Sequence, residues 1–166
     1  MDGKKEEIIN ELDIDRIIEK YQLLPHPEGG YYSEVYRSKQ EVSSLVVGEN
    51  RNAVTHIYFL LKKGQFSRFH KVHHDEIWNF YEGSPLKIIE FNGEKIEEKF
   101  IGKDTGSYVS VVEGGIFQAA ETTGLYTLVG CTVAPGFDFK DFSFITDEPD
   151  IQAVLKEQFT DYKYLI

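Results

Sequence analysis

From residue 13 the polar and apolar positions fall into a helical rhythm. Ile14, Ile17, Ile18 and Tyr21 recur at i, i+3, i+4 and i+7, and Asp13 and Asp15 sit where acidic side chains favour the positive end of a helix. The mostly charged stretch from Met1 to Leu12 precedes this rhythm and is expected to be a frayed extension, leaving one domain over 13–166. Pro25, Pro27, Gly29 and Gly30 end the helix, because proline cannot continue its hydrogen-bond ladder and paired glycines release the backbone into turns. The rhythm then changes to period two in runs rich in Val, Ile, Thr, Tyr and Phe: Tyr31 to Arg37, Ala53 to Leu61, Glu76 to Tyr81, Leu86 to Phe91, Lys95 to Ile101, Ser107 to Val112 and Leu125 to Val133. Asn92-Gly93 joins two of these runs as a hairpin. Closely spaced strands with no helical crossovers predict an antiparallel sandwich or barrel. Asp147 and Pro149 open a second helical pattern through Ile151, Val154, Leu155 and Phe159, expected to cap one side of the sheet. No repeat and no flexible linker marks a second domain.

Composition narrows the partners. The chain has 166 residues, 41% of them apolar and 14% aromatic, enough for a packed core and too apolar for disorder. With 28 acidic against 18 basic side chains the net charge is −10, which repels phosphate backbones and anionic headgroups, so neither nucleic acid nor a membrane surface is expected as a partner. A single cysteine, no leader pattern and no long apolar run make the cytoplasm the expected location.

Chemistry-capable groups are densest between Gly64 and Gly83, where His70, His73 and His74 fall within five residues and Glu76 follows. On a strand, Glu76, Trp78 and Phe80 share one face. A carboxylate beside that aromatic wall has its charged form disfavoured, which is one way to make a general acid or base. The alternative for Glu76 is a pairing with an arginine or backbone donors, and His73 and His74 read as turn residues in water. His26 and Glu28, in the turn Pro25 to Gly30, read either as a pocket rim or as caps for backbone donors. Arg37 reads as a clamp for an anionic ligand or as a partner for a carboxylate such as Glu76. Cys131 reads as a small core residue, and Phe137, Phe139, Phe142 and Phe144 read first as core and second as an aromatic pocket wall.

The spacing of Gly64, His70, Glu76 and Gly83 resembles the first signature of the cupin superfamily, in which a second histidine lies two residues after the first. Here that place holds Val72. In the best match to the second signature, Gly115 is retained and Gln118 replaces the metal-binding histidine. Further blocks, Leu24 to Tyr32, Tyr36 to Ser38, Ile57 to Leu61, Asp75 to Trp78 and Leu128 to Phe139, resemble one cupin branch described only as a domain of unknown function and compared with sugar epimerases. The resemblance implies an all-β fold, a double-stranded β-helix or cupin jelly roll with short N-terminal and C-terminal helices, a pocket at one barrel mouth and a homodimer.

On this basis the expected ligand is a small, polar, sugar-like metabolite and the expected chemistry a metal-independent epimerisation or isomerisation. His70 is the expected base, Glu76 its acid or orienting partner, Gln118 a donor to substrate oxygen and Trp78 a stacking surface, with Arg37, His26, Glu28 and Phe139 also binding ligand. No cofactor is expected, and any divalent metal would bind weakly through His70, Glu76 and Gln118. Two alternatives stand beside this reading. One is a metal-dependent oxygenase or isomerase using His70, Glu76 and one of His73, His74 or His26. The other is a non-catalytic metabolite-binding or sensor module.

Overall fold

The computed structural model describes residues 11–166. Helix α1 spans Glu11–Lys20, beginning two residues earlier than its apolar rhythm; residues 1–10 of the expected frayed extension lie outside the described residues. Thirteen strands follow: β1 Leu24–Pro25, β2 Tyr31–Arg37, β3 Glu41–Ser43, β4 Asn50–Asn52, β5 Thr55–Lys62, β6 Phe66–Val72, β7 Asp75–Gly83, β8 Leu86–Phe91, β9 Ile96–Ile101, β10 Val109–Val112, β11 Phe117–Thr122, β12 Tyr126–Ala134 and β13 Phe142–Phe144. Helix α2, Pro149–Gln158, starts on the proline that its fixed φ suits, and a 3-10 stretch, Thr160–Leu165, follows it.

The strands form a six-stranded sheet in the order β1-β2-β5-β12-β7-β10, a five-stranded sheet in the order β13-β6-β11-β8-β9, and the separate hairpin β3-β4. All these pairings are antiparallel. Chain neighbours such as β5 and β6 sit in different sheets, so the chain winds between the two as a double-stranded β-helix. The hairpin expected at Asn92-Gly93 joins β8 to β9, and the Asn92 side chain accepts from the backbone N–H groups of Glu94 and Lys95. No helix among the described residues is long and apolar enough to cross a membrane.

Apolar burial is layered. Between the sheets lie Phe59, Leu61, Trp78, Ile88, Val129 and Cys131. Beneath α2 and the final 3-10 stretch, on the outer face of the five-stranded sheet, Phe69, Ile89, Phe91 and Phe117 meet Leu155 and Leu165. Beneath α1, Ile14 and Leu23 meet Leu60, Tyr126 and Leu128. Both faces of the central strands are therefore covered, which is why β12 runs buried from Tyr126 to Cys131 without alternation.

Candidate functional site

The inter-sheet space is filled around Phe59 and Trp78, while beyond Ile57 and Cys131 it opens into a cavity of about 260 Å³. Phe137, Phe139 and Phe142, from the segment after β12, form an aromatic wall, and Ile57, Val72 and Val133 line the strands. Glu28, His70, Glu76 and Cys131 also line it, each less than a tenth exposed.

Two local devices bring Glu28 and His70 together. The first is the loop 26–30, closed by hydrogen bonds from His26 N–H to the Gly30 carbonyl (2.9 Å) and from Gly29 N–H to the His26 carbonyl (3.0 Å). Gly29 and Gly30 have φ of +110° and +74°, and a Cβ on Gly29 would lie 2.0 Å from the Phe66 carbonyl oxygen, so the loop presses on β6 as only glycine allows. The second is a bulge in β6. Gln118 pairs with His70 and Ala120 with Ser67, so Arg68 and Phe69 together oppose Ala119. The extra residue turns Ser67 and His70, three positions apart, to one face. Ser67 Oγ donates to Glu28 Oε1 (2.9 Å) and His70 Nε2 stands 3.0 Å from Glu28 Oε2.

His70 Nδ1 lies 2.7 Å from the carbonyl oxygen of Arg68, which can only accept, so Nδ1 carries a proton. With Nε2 facing a carboxylate, the geometry suits an imidazolium satisfied at both nitrogens. Burial opposes that charge, but the charge and hydrogen bond of Glu28, with Glu76, outweigh it and push His70 up to about 9. Burial likewise opposes the Glu28 charge, and His70 overcomes it to hold the carboxyl below its ordinary value. Phe142 stacks on His70 with ring centroids 5.3 Å apart and planes 20° from parallel.

Glu76 is handled differently. Its carboxylate accepts from Gln118 Nε2, and Gln118 Oε1 accepts from Trp78 Nε1–H at 2.8 Å. An indole can only donate, so the amide orientation is fixed and its NH₂ must face Glu76. Burial pushes Glu76 up to about 7, with Glu28 adding to the rise and His70, Gln118 and Cys131 opposing it. Burial, with Glu76 and Glu28, raises the Cys131 thiol far enough to leave it unreactive near neutral pH. His26 Nδ1 accepts from Glu28 N–H at 3.1 Å, and burial lowers its pKa, against Glu28 and with His70. Neutral His26 therefore carries its proton on Nε2.

His70, Glu76, His26, Glu28, Arg37 and Phe139, all expected from the sequence, line this one cavity. Trp78 and Gln118 do not. Trp78 is 1% exposed and meets Phe59 edge-on at 5.9 Å, so it is core and offers no stacking surface. Gln118 spends its amide on Glu76 and Trp78 and does not reach the cavity lining. The direct partner of His70 is Glu28, where Glu76 was expected. Arg37 neither clamps an open site nor meets Glu76: Nε and one terminal nitrogen bind Glu34 at 3.0 and 2.9 Å, and the other binds Asn52 Oδ1 and the Phe137 carbonyl. His26 both caps a backbone donor and lines the cavity, so its two readings hold together. The pocket-wall reading is correct for Phe137, Phe139 and Phe142.

His73 is exposed, as a turn residue should be, but His74 is 4% exposed. Its Nε2 meets Ser44 Oγ at 2.7 Å, and Asp141 lies 3.8 Å from its Nδ1. These are the residue types of a nucleophilic triad, yet Ser44 is 3% exposed and Asp141 is held by Arg51 through two bonds of 2.8 Å. The group instead braces the β3-β4 hairpin against the turn 139–141 that carries Phe139. Sequence reasoning missed Ser67, because the bulge that turns it inward leaves no periodic signal.

A double-stranded β-helix with a cavity between its two sheets is the architecture of a cupin. The description of the Cupin superfamily (DUF985) matches residues 15–145, and the chain belongs to that family. An uncharacterized protein of Saccharomyces cerevisiae is 31% identical over 157 residues, covering 84% of this chain and 78% of the yeast protein. The structure of a hypothetical protein from Leishmania major superimposes with a TM-score of 0.79 at 31% identity, covering 92% of this chain and 95% of that one. A protein from Shewanella oneidensis gives 0.76 at 31% identity, covering 89% and 91%.

Cupin sites that hold a first-row metal use several imidazoles with a carboxylate. The residues here do not fit one. Val72 replaces one imidazole, Gln118 replaces another with its oxygen turned to Trp78, and both nitrogens of His70 are engaged by Arg68 and Glu28. Among the described residues no three His, Cys, Asp or Glu side chains are placed to share a metal ion.

Proposed function

We propose that the cavity binds a small, polar, carbohydrate-like metabolite and isomerises or epimerises it by proton transfer without a metal ion. The observation that carries this reading is the pairing, inside one aromatic-walled cavity, of a buried carboxyl pushed up to about 7 with an imidazole pushed up to about 9. The charge states exchange the roles expected from the sequence. At neutral pH His70 is already protonated, so Glu76 is the group able to accept a proton.

Glu76 takes the proton from the carbon beside a substrate carbonyl, and the electron pair moves into that carbonyl to give an enolate. The enolate oxygen is stabilised by the His26 Nε2–H and by the positive charge of His70. The proton held on Glu76 exchanges with solvent before it returns: delivery to the other face of the enolate, once the enolate has turned over in the cavity, gives the epimer, and delivery to the neighbouring carbon with an oxygen-to-oxygen proton shift gives the isomer. Phe137, Phe139 and Phe142 keep water from the enolate.

Incubation in deuterium oxide with a panel of aldoses, ketoses and small hydroxycarbonyls checks this directly by proton NMR. The wild-type chain is expected to exchange the hydrogen beside the carbonyl of at least one compound, and Glu76→Gln to slow that exchange about 100-fold or more. His73→Ala should leave the rate unchanged. Equal exchange by wild type and Glu76→Gln would remove Glu76 from the chemistry.

A further inference from the structure

Three lining residues of the cavity can carry positive charge: His26, Arg37 and His70. His26 is held neutral by burial and by its Nδ1 accepting from Glu28 N–H. Both nitrogens of His70 are occupied by the Arg68 carbonyl and the Glu28 carboxylate. All three guanidinium nitrogens of Arg37 have acceptors in Glu34, Asn52 and the Phe137 carbonyl. Against these stand the lining carboxylates Glu28, Glu34 and Glu76, and Asp138 adds a further negative charge near Arg37.

An anionic ligand would have to displace Glu28 from His70 or Glu34 from Arg37, exchanging a charge-assisted pair already formed for one made at the expense of a freed carboxylate. A cationic ligand meets carboxylates already paired and the imidazolium of His70. What remains open is a set of neutral donors, the Nε2–H of His26 and the side-chain hydroxyls of Tyr32 and Ser33, none with a hydrogen-bond partner among the described residues, and the carboxyl of Glu76. Around them lies the wall of Phe137, Phe139 and Phe142, which suits an apolar or weakly polar face.

We infer that the ligand of this cavity is uncharged: a free hydroxycarbonyl compound whose carbonyl oxygen accepts from His26 and whose carbon skeleton lies against the phenylalanine wall, with phosphorylated and carboxylated metabolites excluded. The inference rests on the cavity being the ligand site and deepens the proposed function by fixing the charge of its substrate. It does not depend on the reaction.

The test is an NMR screen of the whole chain against three equal sets of small fragments, namely uncharged hydroxycarbonyls, carboxylates with phosphates, and primary amines, counting only fragments that move the ring resonances of His26 or His70. Uncharged fragments are expected to be enriched about tenfold among such hits. Glu34→Gln, which removes the carboxylate hydrogen-bonded to Arg37, is expected to gain carboxylate binding that the wild type lacks. A majority of charged hits, no difference between the sets, or no uncharged hit at all would overturn the inference. Uncharged binding without solvent exchange would overturn only the reaction proposed above, whereas exchange confined to a phosphorylated substrate would overturn only this inference.

Discussion

Replacing Glu28 with glutamine is expected to bring the His70 pKa from about 9 back to or below the ordinary imidazole value of about 6.5, and to cost the fold about 3–5 kcal/mol. Among the described residues Glu28 is the one carboxylate in direct contact with His70, and both groups are almost wholly buried, so its loss leaves a buried imidazolium uncompensated or forces it neutral. The pH dependence follows from the directions of the two shifts. His70 titrates higher in the folded state, so its share of the stabilisation is complete below about 6.5 and disappears as pH rises through about 9. Glu28 titrates lower when folded, so its share is complete above its unfolded value of 4.5 and disappears on acidification through the depressed value. The difference in denaturation free energy between wild type and Glu28→Gln should therefore be greatest between about 4.5 and 6.5 and shrink towards pH 9. A difference that grows towards pH 9 would mean that the pair is not formed.

Glu76→Gln should act in the opposite sense. A carboxyl raised from 4.5 to about 7 by burial makes the folded state hold a proton that the unfolded chain releases, so wild-type stability falls as pH rises from 4.5 to 7. Over that interval the loss amounts to about 3 kcal/mol. Glutamine keeps an oxygen for the Gln118 amide and has no charge to bury. The variant is expected to match wild type near pH 4.5 and to melt several degrees higher at pH 8. Parallel melting curves across this range would show that Glu76 is not desolvated as described.

Much of the fold was legible because its signals are local. The seven period-two runs become β2, β5, β7, β8, β9, β10 and β12, and Pro149 opens α2 as its pattern indicates. Strands β6 and β11 were not. In β11, Phe117 and Ala119 face the α2 layer while Ala120 faces the inter-sheet core, so the run from Phe117 to Ala120 has no solvent-facing side and its alanine pair carries no strand signal. In β6 the bulge at Arg68 and Phe69 breaks the alternation.

The site divides in the same way. His70 and Glu76 were legible from a spacing fixed by the fold. The Glu28–His70 pair was not, because 42 positions of sequence separate its members and only the glycine loop pressing on the bulged strand joins them. Trp78 and Gln118 were misassigned for a related reason. Face alternation places them inward but does not say whether an inward side chain meets the cavity or the packed core beside it.

The most direct test of the central claim, an ion pair of Glu28 with His70 beside a carboxyl poised near neutrality, is a single NMR titration of the whole chain, following the His70 ring nitrogens and the Glu76 carboxyl carbon between pH 5 and 10. The account predicts that His70 stays protonated at both nitrogens through pH 7 and titrates near 9, while Glu76 titrates near 7. A neutral His70 at pH 7, or a Glu76 carboxyl fully ionised at pH 5, would contradict it.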